Sequence, residues 1–116
     1  MTTKVFISYA TPDKKKVKSV LEKLRKSREV GLDLVIIDVQ MPALGKDVRA
    51  EIRRSIKEAD QVVIVWTKQS AESSFVNYEA GMAEALGKPI TVVMPESGAP
   101  QLPSSLQGVR ILEFGT

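Results

Sequence analysis

Apolar positions along this chain fall into short continuous runs that alternate with stretches spaced for a helix. Lys4-Val5-Phe6-Ile7-Ser8 predicts a short buried strand. Val17, Val20, Leu21 and Leu24 then mark one face of a helix. Thr11 is the expected cap, Pro12 lies in the first turn where its missing N–H costs nothing, and Gly31 fits the stop. Leu32 to Asp38 predicts a second strand, and Val39 to Gly45 a loop. A second helix follows from Asp47 to Ala59, with Val48, Ile52, Ile56 and Ala59 inward. Gln61 to Trp66 is nearly all apolar, as expected of a strand covered on both faces. Ser70 to Ser74 reads as a polar loop before a third helix over Ser73 to Gly87. Pro89 to Met94 predicts a fourth strand and Val109 to Leu112 a fifth. Between these two, Pro95 to Gly108 reads as loop with room for one turn of helix.

Strand and helix alternate throughout, which predicts an α/β fold: a five-stranded parallel sheet with helices on both faces, in flavodoxin-like order. Ligands of such sheets bind beyond the carboxyl ends of the strands. Tyr9, Asp38 and the Thr67 to Ser74 loop all follow strand ends, so one crevice can hold them.

One residue breaks the pattern of the third helix. Phe75, Glu79, Met82 and Leu86 fall at offsets of four, three and four, one stripe of that helix. The stripe is apolar except for Glu79. Burying an unpaired charge is expensive, so Glu79 is either functional or sits at the stripe's edge, hydrated or paired with a neighbouring cation.

Composition narrows the chemistry. The chain has 116 residues, enough for one domain, with 43% hydrophobic and 27% charged residues. It contains no His and no Cys, which closes most other routes to catalysis. No apolar run approaches the roughly 20 residues of a membrane helix. Met1 to Phe6 lacks the apolar core of a secretory signal, so a cytoplasmic protein without membrane contact is expected. Much of the net charge of +3 comes from Lys14, Lys15, Lys16, Lys18, Lys23, Arg25, Lys26 and Arg28. These are expected on the solvated side of an amphipathic helix rather than on a nucleic acid, because no aromatic residues interleave to stack bases.

Taken in order, several segments resemble the conserved boxes of one known family. Phe6-Ile7-Ser8-Tyr9-Ala10 with Asp13 resembles its first box. Asp38 to Lys46 resembles its BB loop after the second strand. Ile56 to Asp60 followed by Val62 to Val65 resembles the approach to its third strand. Ser74-Phe75-Val76-Asn77-Tyr78-Glu79 resembles the Ser-Trp-x-x-x-Glu segment of enzymatic members, with Phe75 in place of Trp. Gly87-Lys88-Pro89-Ile90 and Leu102-Pro103 complete the pattern, and the whole resembles the Toll/interleukin-1 receptor (TIR) domain family, in its bacterial type.

The resemblance implies a single domain over residues 1–116 that ends before the family's usual final helix. It also implies cleavage of NAD+ at the nicotinamide–ribose bond, with Glu79 catalytic, NAD+ as substrate, and neither cofactor nor metal. Tyr9 and Ala10 would line the pocket, Phe75 would form an apolar wall, and Asp38 would bind or orient the nucleotide. Ser74 would supply a hydrogen bond, or else cap its helix. The product would be ADP-ribose or a cyclic ADP-ribose, in anti-phage or immune signalling. Self-association would run through the BB loop, Val39–Lys46. The alternative within the family is a scaffold that assembles through the same loop without catalysis.

Two further resemblances compete. Leu34 to Pro42, with Thr67 and Lys88-Pro89, is similar to a response-regulator receiver, with Asp38 as phosphoacceptor. A receiver needs an acidic pair where Ser8-Tyr9-Ala10 stands, and Arg25 to Gly31 leaves no room for its extra strand and helix. Tyr78 to Ala83 is similar to a segment of nucleoside deoxyribosyltransferases, against which the BB-loop match speaks.

Overall fold

A computed structural model of the chain describes residues 3–26, 34–37, 48–95, 100–103, 106 and 109–113. Five strands form one parallel sheet: β1 (Thr3–Ser8), β2 (Leu34–Ile37), β3 (Gln61–Val65), β4 (Ile90–Met94) and β5 (Arg110–Glu113). Their order is β2-β1-β3-β4-β5, and every pair is parallel, as the alternating pattern predicts. The helices are α1 (Lys14–Lys26), α2 (Val48–Glu58), α3 (Lys68–Ala71) and α4 (Ser74–Ala85).

Side chains alternate across the strands, so two cores form, one on each face. On one face Val5, Ile7, Val63, Val65 and Val93 pack against Val17, Val20 and Leu24 of α1. On the other, Phe6, Val62, Ile64 and Val92 pack against Ile52 and Ile56 of α2 and Val76, Ala80 and Ala83 of α4. The charged residues Lys14, Lys15, Lys18, Lys23, Arg25 and Lys26 of α1 are exposed.

Several local boundaries differ from the sequence-based expectations. Thr11 is not a cap. It opens a 3-10 turn, Thr11–Asp13, whose capping position is Ala10, and the Asp13 N–H donates to Ala10 O at 2.8 Å. Lys68 to Ala71 is helical rather than loop. Thr67 caps it, accepting from the N–H groups of Gln69 and Ser70, while Ser70 Oγ accepts from the Thr67 N–H, a reciprocal capping box. The cap of α4 is Ser73, whose Oγ accepts from Val76 N–H at 3.2 Å, so Ser74 is the first helical residue instead. The inward stripe of α4 is Val76, Glu79, Ala80 and Ala83, with Phe75, Met82 and Leu86 half-buried beside it.

Gly31, the side chain of Val48, and the loop Val39–Lys46 lie outside the described residues, as does most of the Pro95 to Gly108 stretch. None of the described helices is long and apolar enough to cross a membrane.

Candidate functional site

The chain runs from β1 to β2 on one side and places β3 on the other, so the topological switch point lies at β1. Open α/β sheets bind ligands at the carboxyl edge beside such a point. Ser8 is the last residue of β1, in register with Ile64 of β3, and shares its face with Phe6 and Ala10. A hydroxyl there is buried among apolar neighbours and needs a partner.

That partner is Glu79, in the second turn of α4. Ser8 Oγ donates to Glu79 Oε1 at 2.6 Å, and both residues are buried, with Glu79 0% exposed. The second oxygen, Oε2, is also buried and takes no hydrogen bond from the described residues. A carboxylate is thus held inside the core, at the switch point, in the second turn of a helix capped by Ser73.

A second polar cluster lies at the same edge. Asp13, 1% exposed, accepts from Thr67 Oγ1 at 2.5 Å and from Lys16 Nζ at 3.3 Å. Ser70 Oγ donates to Val65 O at 2.5 Å, and Asn77 Nδ2 donates to Ser73 O at 2.8 Å and Ser70 O at 3.4 Å. The loop after β1, the loop after β3 and the first turn of α4 are therefore tied together. Among the described residues no group of three or more Asp or Glu is arranged to hold a metal ion.

A family model described as "TIR domain" matches residues 5–115. This chain belongs to the TIR domain family. The fold of this TIR domain is also similar to that of solved structures. The TIR domain of the Toll-related receptor TRR-2 from Hydra magnipapillata aligns with a TM-score of 0.69 at 15% identity, over 95% of this chain and 82% of that one. The TIR domains of the activated Roq1 resistosome, which directly recognises the pathogen effector XopQ, align with a TM-score of 0.53 at 20% identity, over 80% of this chain and 57% of that one. A β-glucosidase from Listeria innocua aligns at 0.54 and 16% identity, over 98% of this chain but only 19% of that enzyme. At these identities the likeness is one of fold. Among curated proteins no relative matches.

Within the TIR domain, the residues singled out from sequence occupy different settings. Glu79 is buried on the α2/α4 face, where Ala10 also packs. Tyr9 is buried too, but with Val17 and Val20 on the α1 face. Phe75 is half-buried against the same core as Ala10, and Ser74 is exposed at the start of α4. Asp38 lies outside the described residues. Ser8 was not among the expected site residues. The signal available in sequence was a hydroxyl closing the apolar run Val5-Phe6-Ile7, on the same face as Phe6.

Proposed function

We propose that this TIR domain cleaves NAD+ at the bond between nicotinamide and ribose, with Glu79 as the catalytic carboxylate. The observation that carries this reading is a carboxylate, that of Glu79, hydrogen-bonded to Ser8 at the switch point of the sheet. A core position gains nothing in stability from a carboxylate there, so its presence calls for a chemical reason.

The chemistry suits a chain without His. Nicotinamide in NAD+ is a pyridinium. When the C1′–N bond breaks, the bonding pair goes to the ring nitrogen and the base leaves neutral. Ordinary glycosidases need a second carboxyl group to protonate the leaving oxygen, and here that group is dispensable. One carboxylate near the ribose stabilises the oxocarbenium-like transition state. Water then adds at C1′ and loses a proton, giving ADP-ribose. Attack by the adenine of the same molecule would give a cyclic product. In this proposal Ala10, Ser74, Phe75 and Asp38 form the nucleotide-binding surroundings, Tyr9 supports them from the α1 face at the end of β1, and Val39–Lys46 mediates self-association. A role in immune or anti-phage signalling belongs to the same reading. The similarity in fold to TIR domains of an effector-recognising resistosome supports that setting.

A second reading is a scaffold without turnover. The complete burial of Glu79 favours it, because substrate cannot reach a carboxylate that has no exposed surface. Both readings fit if assembly opens the site. The test is product analysis of NAD+ incubated with the purified chain across a wide protein-concentration series. Free nicotinamide that appears with assembly, with linear or cyclic ADP-ribose, supports the enzyme. NAD+ left intact across the whole series supports the scaffold.

A further inference from the structure

We infer that Ser8 is the positioning residue of Glu79: its hydroxyl holds the carboxylate at the carboxyl end of β1, so that access to the site, and not the orientation of the carboxylate, is what assembly changes. This rests on the reading of Glu79 as catalytic. Ser8 ends β1, a strand paired with β2 over Thr3–Phe6 and with β3 over Val5–Ser8, so its backbone is anchored in the sheet opposite Ile64. Glu79 is the opposite case, a side chain with three torsions that costs entropy to hold still. The 2.6 Å hydrogen bond joins the two across 71 positions of sequence. That length is typical of a hydroxyl donating to a carboxylate.

Ser8 is also a poor choice on structural grounds alone. Its neighbours on the same face are Phe6, Ala10 and Ile64, and an apolar β-branched residue would fill the position better. A hydroxyl kept 1% exposed in such a place is compensated through Glu79. Freezing a catalytic group in advance removes reorganisation from the reaction step, so its loss acts on kcat rather than on substrate binding.

The experiment compares NAD+ turnover by the wild-type chain, Ser8→Ala, Ser8→Thr and Ser8→Cys, with a thermal melt of each. Ser8→Ala removes the donor and is expected to lower kcat by about 10- to 100-fold with KM within about twofold. Ser8→Thr keeps the hydroxyl and is expected to recover most of kcat. Ser8→Cys, similar in size but a far weaker donor, carries the comparison if the Ala variant melts below the assay temperature, and is expected to lose kcat as well. Full kcat in both the Ala and Cys variants, or a loss confined to KM, overturns the inference while leaving Glu79 catalytic. A wild-type chain inert at every concentration overturns the reading of Glu79 and the inference with it.

Discussion

Thr67 Oγ1 donates a 2.5 Å hydrogen bond to the buried carboxylate of Asp13, 54 positions earlier in the chain. One threonine thereby ties the turn after β1 to the loop after β3 while its oxygen also accepts from two backbone N–H groups as the cap of α3. Thr67→Val removes both functions at nearly constant volume. It is expected to cost about 2–4 kcal/mol, summing a hydrogen bond to a charged group and a cap. The Lys16–Asp13 pair is different. The Lys16 side chain is 39% exposed, so Lys16→Met is expected to cost less than about 1 kcal/mol. Denaturant midpoints with unchanged m-values check both, and equal costs would contradict the assignment.

Two glycines should respond to alanine with opposite signs. Gly87 has φ +67° and closes α4 in a Schellman arrangement, with Gly87 N–H donating to Glu84 O and Lys88 N–H to Ala83 O, both at 3.0 Å. A Cβ at Gly87 would meet nothing within 4 Å, so Gly87→Ala suffers backbone strain alone, about 1–2 kcal/mol. Gly81 lies inside α4, and a Cβ there also meets nothing within 4 Å. Gly81→Ala is expected to stabilise by about 0.5–1 kcal/mol. Thermal melts of the two variants give the signs directly.

Trp66 is the single tryptophan of the chain, 2% exposed, with its indole N–H donating to Pro100 O at 2.9 Å. Its emission should be blue-shifted in the native protein and move to the red in the same transition that removes helical circular dichroism. Trp66→Phe loses the hydrogen bond and part of the packing, and is expected to cost about 1–3 kcal/mol. A red-shifted native spectrum would contradict the burial.

The architecture was legible because central strands of a parallel sheet announce themselves. Val62 to Val65 is apolar at every position and has no polar face to confuse the reading. Local caps were harder. Thr11 and Ser74 each stand one residue after the capping position, and serine pairs such as Ser73-Ser74 give no sequence signal to choose between them. The short α3 was hidden because capping-box residues are also loop formers. On α4, the larger Phe75, Met82 and Leu86 mark a stripe by size, whereas the buried positions are Val76, Ala80 and Ala83, whose small side chains give a weaker signal. Glu79 stood out because a charge on an apolar helix is visible locally. Its partner did not, because no local pattern links positions 71 apart.

The pair of Ser8 and Glu79 should carry a cost in stability. Replacing both with apolar residues, Ser8→Ala with Glu79→Met, removes a buried carboxylate and the hydroxyl that serves it. The double variant is expected to gain about 1–2 kcal/mol and raise Tm by several degrees while losing all turnover. A lower Tm would mean that the pair is structural.

The most direct test of the account is nicotinamide release from NAD+ by the wild-type chain and by Glu79→Gln, side by side at high protein concentration with a crowding agent. Gln keeps the volume of Glu79 and one oxygen able to accept from Ser8, and removes the charge. The account predicts stoichiometric nicotinamide from the wild type and none above background from a variant with an unchanged melting curve. Equal release from both proteins would contradict it.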